Sequence, residues 1–161
     1  MLDIVSRRGY VGILFGRDVC SPSELPPALE RATHRTGLLR QHPFWELLSQ
    51  SRCLFVPNEW DASPRVIGEA IQLEVGVHVN FKIMGGWKYI DESNGVFFDP
   101  ELSDEAIAES LIKLIERQKH KGFSASSFRQ RYGRARTAKR LAGFLNPIIG
   151  SDHDALFLSR V

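Results

Sequence analysis

Short unbroken apolar runs, separated by helix-like segments, constrain this chain more than any other feature. Residues 10–15 (YVGILF), 53–57 (CLFVP) and 76–80 (GVHVN) are such runs, and a glycine, a proline or an asparagine closes them. A strand with one wet face alternates apolar and polar residues. A continuous run marks a strand buried on both faces, as in parallel sheets. Residues 96–98, after the Asn94-Gly95 turn, read as a fourth strand, and residues 36–39 as a short one.

The intervening segments carry helix signals. Pro26 and Pro27 open a helix through Arg31, after a proline-rich loop over residues 21–27. Residues 43–49 place Phe44, Leu47 and Leu48 on one face. Ser63 and Pro64 read as N-cap and first helical position of a helix whose apolar face is Val66, Ile67, Ala70 and Ile71. Residues 87–91 suit a short helical turn. Ser103 caps the clearest helix, with Asp104 and Glu105 in its first turn and Lys113, Arg117 and Lys119 toward its end, as the macrodipole prefers. Ile107, Leu111, Leu114 and Ile115 form its core face, and a last amphipathic helix spans residues 126–145. Strands alternating with helices predict an α/β fold. The expectation is a single Rossmann-like domain, an open parallel sheet with helices on both faces. It occupies residues 1–150, incomplete on its N-terminal side, and residues 151–161 form a loose tail.

Several function classes receive no support. The formal net charge is +2, so the overall field does not select a partner. Ten basic residues and one acid, Glu116, lie between Lys113 and Arg140, which reads as a solvated helical face. Phe123, Phe128 and Tyr132 within that stretch suit a core stripe, so nucleic-acid binding is not expected. Cys20 and Cys53 stand apart with no metal or disulfide spacing, and Cys53 is expected to be buried in its strand. His78 inside an apolar strand reads as core, and His42 pairs with no nucleophile. No metal and no cofactor are expected. Asp3, Arg7 and Arg8 near the start do not suit a signal peptide, and no apolar run approaches the ~20 residues of a membrane span. A cytoplasmic location is expected.

Ligands of open parallel sheets sit at the carboxyl ends of the strands. The loops after Pro57 and Asn80 are therefore the places for chemistry. The first reads Pro57-Asn58-Glu59-Trp60-Asp61-Ala62-Ser63-Pro64-Arg65-Val66-Ile67-Gly68-Glu69-Ala70. It sets Asp61 in the loop and Glu69 on the helix, around a helix start whose amides favour an anion. Two carboxylates flanking a phosphate site suit the hydroxyls of ribose and hexose rings.

This stretch resembles the paired-acid region of retaining glycosyltransferases of GT-B architecture, in the group 1, family 4-like class. The likeness runs through Ser63-Pro64-Arg65-Val66-Ile67 and Glu69-Ala70. It continues through residues 77–80, Gly85-Gly86, residues 87–91, Asn94-Gly95 and Val96-Phe97-Phe98 in the same order. It covers residues 55–115 well and the remainder in outline. It implies a donor-binding C-terminal domain, one half of a GT-B fold, that holds a nucleotide-diphosphate sugar. Glu69 would hold the ribose hydroxyls, and Asp61 would contact the donor sugar. Ser63, Pro64 and Arg65 would form the helix start. Gly85 and Gly86 would admit the diphosphate to backbone amides, with Met84, Trp87 and Lys88 beside them.

The chain departs from that pattern in places. Asp61 is one methylene shorter than the class's Glu, and Tyr89 stands where the class often has an acid. Arg17 lies too near Asp61 to be the class's phosphate-binding Arg, and the next Lys is Lys82. Residues 10–16 then match the second strand of such a domain. The first strand–helix unit and the acceptor-binding domain are expected to be missing, and Lys88 is a partial substitute for the absent cations. A second domain or chain would supply the acceptor site. Blander readings stay open beside these roles. Glu69 also suits a solvated helix acid, Asp61 a local turn, and Gly85-Gly86 a simple turn. Trp60 and Trp87 are expected as packing residues. A non-catalytic interaction module is the alternative function.

Overall fold

The structure is a computed structural model that describes residues 1–15, 27, 30, 33–62 and 64–149. Cys20, Arg17, the proline-rich loop apart from Pro27, Ser63 and the 151–161 tail lie outside the described residues.

The elements follow the chain as α1 (Leu2–Arg7), β1 (Gly12–Phe15), β2 (Thr33–Gly37), α2 (Gln41–Gln50) and β3 (Cys53–Val56). Next come α3 (Arg65–Gln72), β4 (Gly76–Asn80), a 3-10 turn (Trp87–Tyr89) and β5 (Gly95–Phe98). The chain then forms α4 (Asp104–Lys121), α5 (Ser126–Tyr132) and α6 (Arg134–Ile149). All strand pairs are parallel. β3, β4 and β5 form one sheet in that order, and β1 pairs with β2 in a second. This is the expected α/β, Rossmann-like arrangement, with the strands divided between two small sheets.

The central sheet is covered on both faces. Leu54, Val56, Val77 and Val79 face Leu48 of α2, Ile67, Ala70 and Ile71 of α3, and Phe128 of α5. Each aliphatic side chain removed fully from water there contributes roughly 1.5–3 kcal/mol. The opposite face carries Cys53, Phe55 and His78, and Val5 of α1 packs there with Ala108, Leu111 and Ile115 of α4. α4 begins as its sequence dictates, with the Ser103 hydroxyl accepting from the Ala106 amide at 3.3 Å.

Several expectations are corrected. The apolar run at residues 10–15 is not a buried strand, because Ile13, Leu14 and Phe15 are exposed. Among the described residues β1 has only β2 as a strand neighbour, and its ring contact with α2, Phe15 to Phe44 at 4.9 Å, covers one residue. The short strand spans Thr33–Gly37, so it overlaps the expected residues 36–39 at Thr36 and Gly37 and begins earlier. Pro64 is the N-cap of α3 rather than its first helical residue. The expected 126–145 helix is two helices divided at Gly133, where an added Cβ would sit 2.2 Å from the Arg129 carbonyl oxygen. Cys53 is only partly buried, yet desolvation still pushes its thiol pKa well up, against a smaller opposing contribution from the His78 backbone.

Candidate functional site

β3 and β4 run side by side in register, so residues 57–64 and 81–86 leave the sheet at the same edge. A buried side chain laces them. The Asn80 amide donates to the Pro57 carbonyl at 3.0 Å, and its Oδ1 accepts from the Lys82 amide at 2.9 Å. The Met84 amide donates to the Glu59 carbonyl at 3.1 Å. Asn80→Ala removes a donor and an acceptor from a buried place. It should lower the unfolding free energy by about 2 kcal/mol in urea denaturation. An unchanged midpoint would mean that water replaces the carboxamide at no cost.

Gly85 and Gly86 seat the second loop on the first. A Cβ on Gly85 would lie 2.0 Å from the Ala62 carbonyl oxygen. Gly86 has φ +77°, in the left-handed region, and its Cβ would meet Pro64 Cγ at 2.6 Å and Ile67 Cδ1 at 3.1 Å. Both glycines therefore have a packing reason to be glycine, whatever else they admit.

The remaining expected residues take these places. Asp61 is half-buried in the first loop, and Glu69 is half-buried in the middle of α3. Arg65 opens α3 and is exposed. Pro64, as N-cap, has no side chain that can cap this helix, and the Ile67 amide turns back to the Pro64 carbonyl at 3.1 Å. Met84 is 60% exposed beside Gly85. Trp60 and Trp87 were expected to pack, but they are 87% and 57% exposed. Trp60 sits in the first loop and Trp87 opens the 3-10 turn. Lys88 is exposed, with Nζ over the Tyr89 ring at 5.7 Å, a contact within its own turn. The structure thus brings Gly85 against Ala62 and Gly86 against Pro64, and ties Met84 to the loop that carries Asp61.

The 3-10 turn is held from behind. The Tyr89 ring meets Phe128 and Tyr132 edge-on at 5.6 and 4.9 Å, and the Tyr132 hydroxyl donates to the Lys88 carbonyl at 3.0 Å. Asp91 then accepts from the Ser93 amide at 2.9 Å, from the Ser93 and Ser127 hydroxyls, and from Arg131. Desolvation raises the Asp91 carboxyl. The Ser93 and Ser127 hydrogen bonds and the Arg131 charge outweigh it and hold the group below the usual carboxylate range. Sequence reasoning missed both Asn80 and Asp91. The available signal was a polar residue closing an apolar strand, and an acid two residues before a serine.

No protein-family model matches the chain, and no curated protein matches it significantly. Among the described residues no group of three or more His, Cys, Asp or Glu side chains is placed to hold a metal ion. No helix among them is long and apolar enough to cross a membrane.

Proposed function

We propose that this chain is the donor-binding half of a retaining glycosyltransferase of GT-B type, and that it holds a nucleotide-diphosphate sugar at the carboxyl edge of β3 and β4. The observation that carries the reading is the seating of Gly85 and Gly86 on Ala62 and Pro64. It sets a glycine loop against a helix start whose N-cap is a proline, at the edge where parallel sheets take their ligands. Amides at such a start favour the diphosphate, and glycines let backbone approach it. Glu69 holds the ribose and Asp61 the donor sugar, with Lys88 as a nearby exposed cation. The contribution to catalysis is positioning the donor and stabilising the departing diphosphate. The exposed Trp60, Met84 and Trp87 line the side where a second domain or chain would close the cleft and bring the acceptor. The chain alone should transfer little sugar.

The test is thermal unfolding with UDP, GDP and ADP and their sugar conjugates, on the native chain and on Glu69→Ala. A ligand at ~100 times its Kd stabilises by about 2.7 kcal/mol, which is several degrees in Tm for a domain of this size. The expected result is a shift with one nucleotide, lost in Glu69→Ala. No shift with any of them removes the donor reading. It would leave a non-catalytic interaction module, for which the same exposed tryptophans speak.

A further inference from the structure

We propose that α6 lies on anionic membrane surfaces, its exposed apolar ridge entering the headgroup layer and its basic residues binding lipid phosphates. The proposal is independent of the donor site.

The helix reads RARTAKRLAGFLNPII, with Arg134, Arg136, Lys139 and Arg140 and no acid. At about 100° per residue, Leu141 and Phe144 share one side. Arg140 flanks that ridge beyond Phe144, and Arg134 flanks it beyond Leu141. Lys139 and Arg136 lie further round the polar side. Leu141 is 48% exposed and Phe144 71% exposed. α5 is the main neighbour of α6 among the described elements, and it leaves this ridge uncovered.

The charges separate α6 from the basic stretch before it. Lys113, Lys119, Arg129 and Arg131 each pair with an acid of this chain, namely Glu109, Glu116, Glu74 and Asp91. Arg117 is engaged with the Glu92 carbonyl and the Phe123 ring. Among the described residues, Arg134, Arg136, Lys139 and Arg140 pair with no carboxylate. Three of them line an open groove with Gln130 and Ala135, between α5 and α6.

An occupant has to satisfy both features. A nucleic acid would use the cations and leave Leu141 of the ridge in water. An apolar protein groove would use the ridge and leave the cations unpaired. A bilayer rich in anionic lipid uses both, since an interfacial helix buries its apolar side to the acyl boundary while its Lys and Arg reach the phosphates. Each cation near such a surface strengthens binding several-fold, so three together account for on the order of 100-fold.

The experiment is flotation of the full chain with vesicles of phosphatidylcholine alone or with one-third phosphatidylglycerol. Binding is expected only to the mixed vesicles, weakening as salt rises. The triple variant Arg136→Glu, Lys139→Glu, Arg140→Glu should lose on the order of 100-fold in partitioning. Phe144→Ser should lose tenfold or more with unchanged thermal unfolding, because the side chain it removes is mostly in water. Failure to float with the mixed vesicles overturns the proposal, and so does equal binding to neutral vesicles. Binding that survives Phe144→Ser, or that a single-stranded RNA oligonucleotide displaces at lower concentration than the vesicles require, assigns the helix to polyanions in general and overturns it as well.

Discussion

Gly85→Ala should unfold this protein more readily than any surface substitution in it, by about 3 kcal/mol or more in urea. The new methyl carbon would lie 2.0 Å from the Ala62 carbonyl oxygen, and the next contacts, 2.4 and 3.0 Å, are also backbone atoms of Ala62. A flexible side-chain tip could swing aside, but a peptide group cannot move without carrying its loop. That loop holds Asp61 on one side of Ala62 and Pro64, the N-cap of α3, on the other. The substitution should therefore cost binding as well as stability, and any nucleotide-dependent rise in Tm should vanish with it. Gly86→Ala is the milder comparison, since Pro64 and Ile67 meet it with side-chain atoms, though its positive φ adds strain. If Gly85→Ala unfolds at the native midpoint, the two loops are not packed as described, and the site built on them fails too.

Acid should destabilise the fold through His78 before it reaches the carboxylates. The ring is fully buried in a stack with Phe55 at 5.7 Å and Phe98 at 4.9 Å. Nε2 lies 3.0 Å from the Ser110 hydroxyl of α4, and Nδ1 has no hydrogen-bond partner. A second proton on the ring would make a buried charge, with no acceptor at Nδ1, and desolvation pushes the pKa down to about 4 from 6.5. The unfolded chain therefore takes up the proton first. The stability tied to neutral His78 is fully present above pH 6.5 and drains away as pH falls toward 4. The difference between those two values corresponds to about 3 kcal/mol. Urea midpoints at half-unit steps from pH 7 to pH 4 would record the loss. His78→Phe keeps an aromatic ring in the stack and should flatten that slope, while lowering stability at pH 7 by the lost contact with Ser110. Parallel slopes in the two proteins would show that His78 is not what titrates.

The strands β3, β4 and β5 were legible because their runs are apolar at nearly every position, as β4, buried along its whole length, requires, although Phe97 of the edge strand β5 is 41% exposed. The same signal overreached at β1. An apolar run predicts extended backbone, but burial depends on what the rest of the chain places against it, and Leu14 and Phe15 find little. The start of α4 was legible because Ser103 and Asp104 act within one turn. α1, with six residues, is too short to show a period, and Gly133 was read through as one helix although its glycine marks the break. At the site, the composition of the two loops was visible and their mutual fit was not. The clash that makes Gly85 necessary involves Ala62, and Asn80 joins Pro57 to Lys82. Such pairings follow from the path of the chain in space. The exposure of the tryptophans has a related reason. Trp60 and Trp87 carry no periodicity that could assign a side, and loop geometry left both in water.

One crossover has a consequence for how the protein is made. The connection from β4 to β5 carries only the 3-10 turn at Trp87–Tyr89, where a parallel pair ordinarily has a full helix lying on the sheet. Phe128 and Tyr132 of α5 fill that position, packing on Tyr89 and the core behind it. The plug is thus encoded about forty residues after the gap it fills. On the ribosome, the three strands can be complete while their core still lacks a wall, and it stays open until residue 132 has emerged from the exit tunnel. A nascent chain paused between β5 and α5 would present that apolar opening to chaperones.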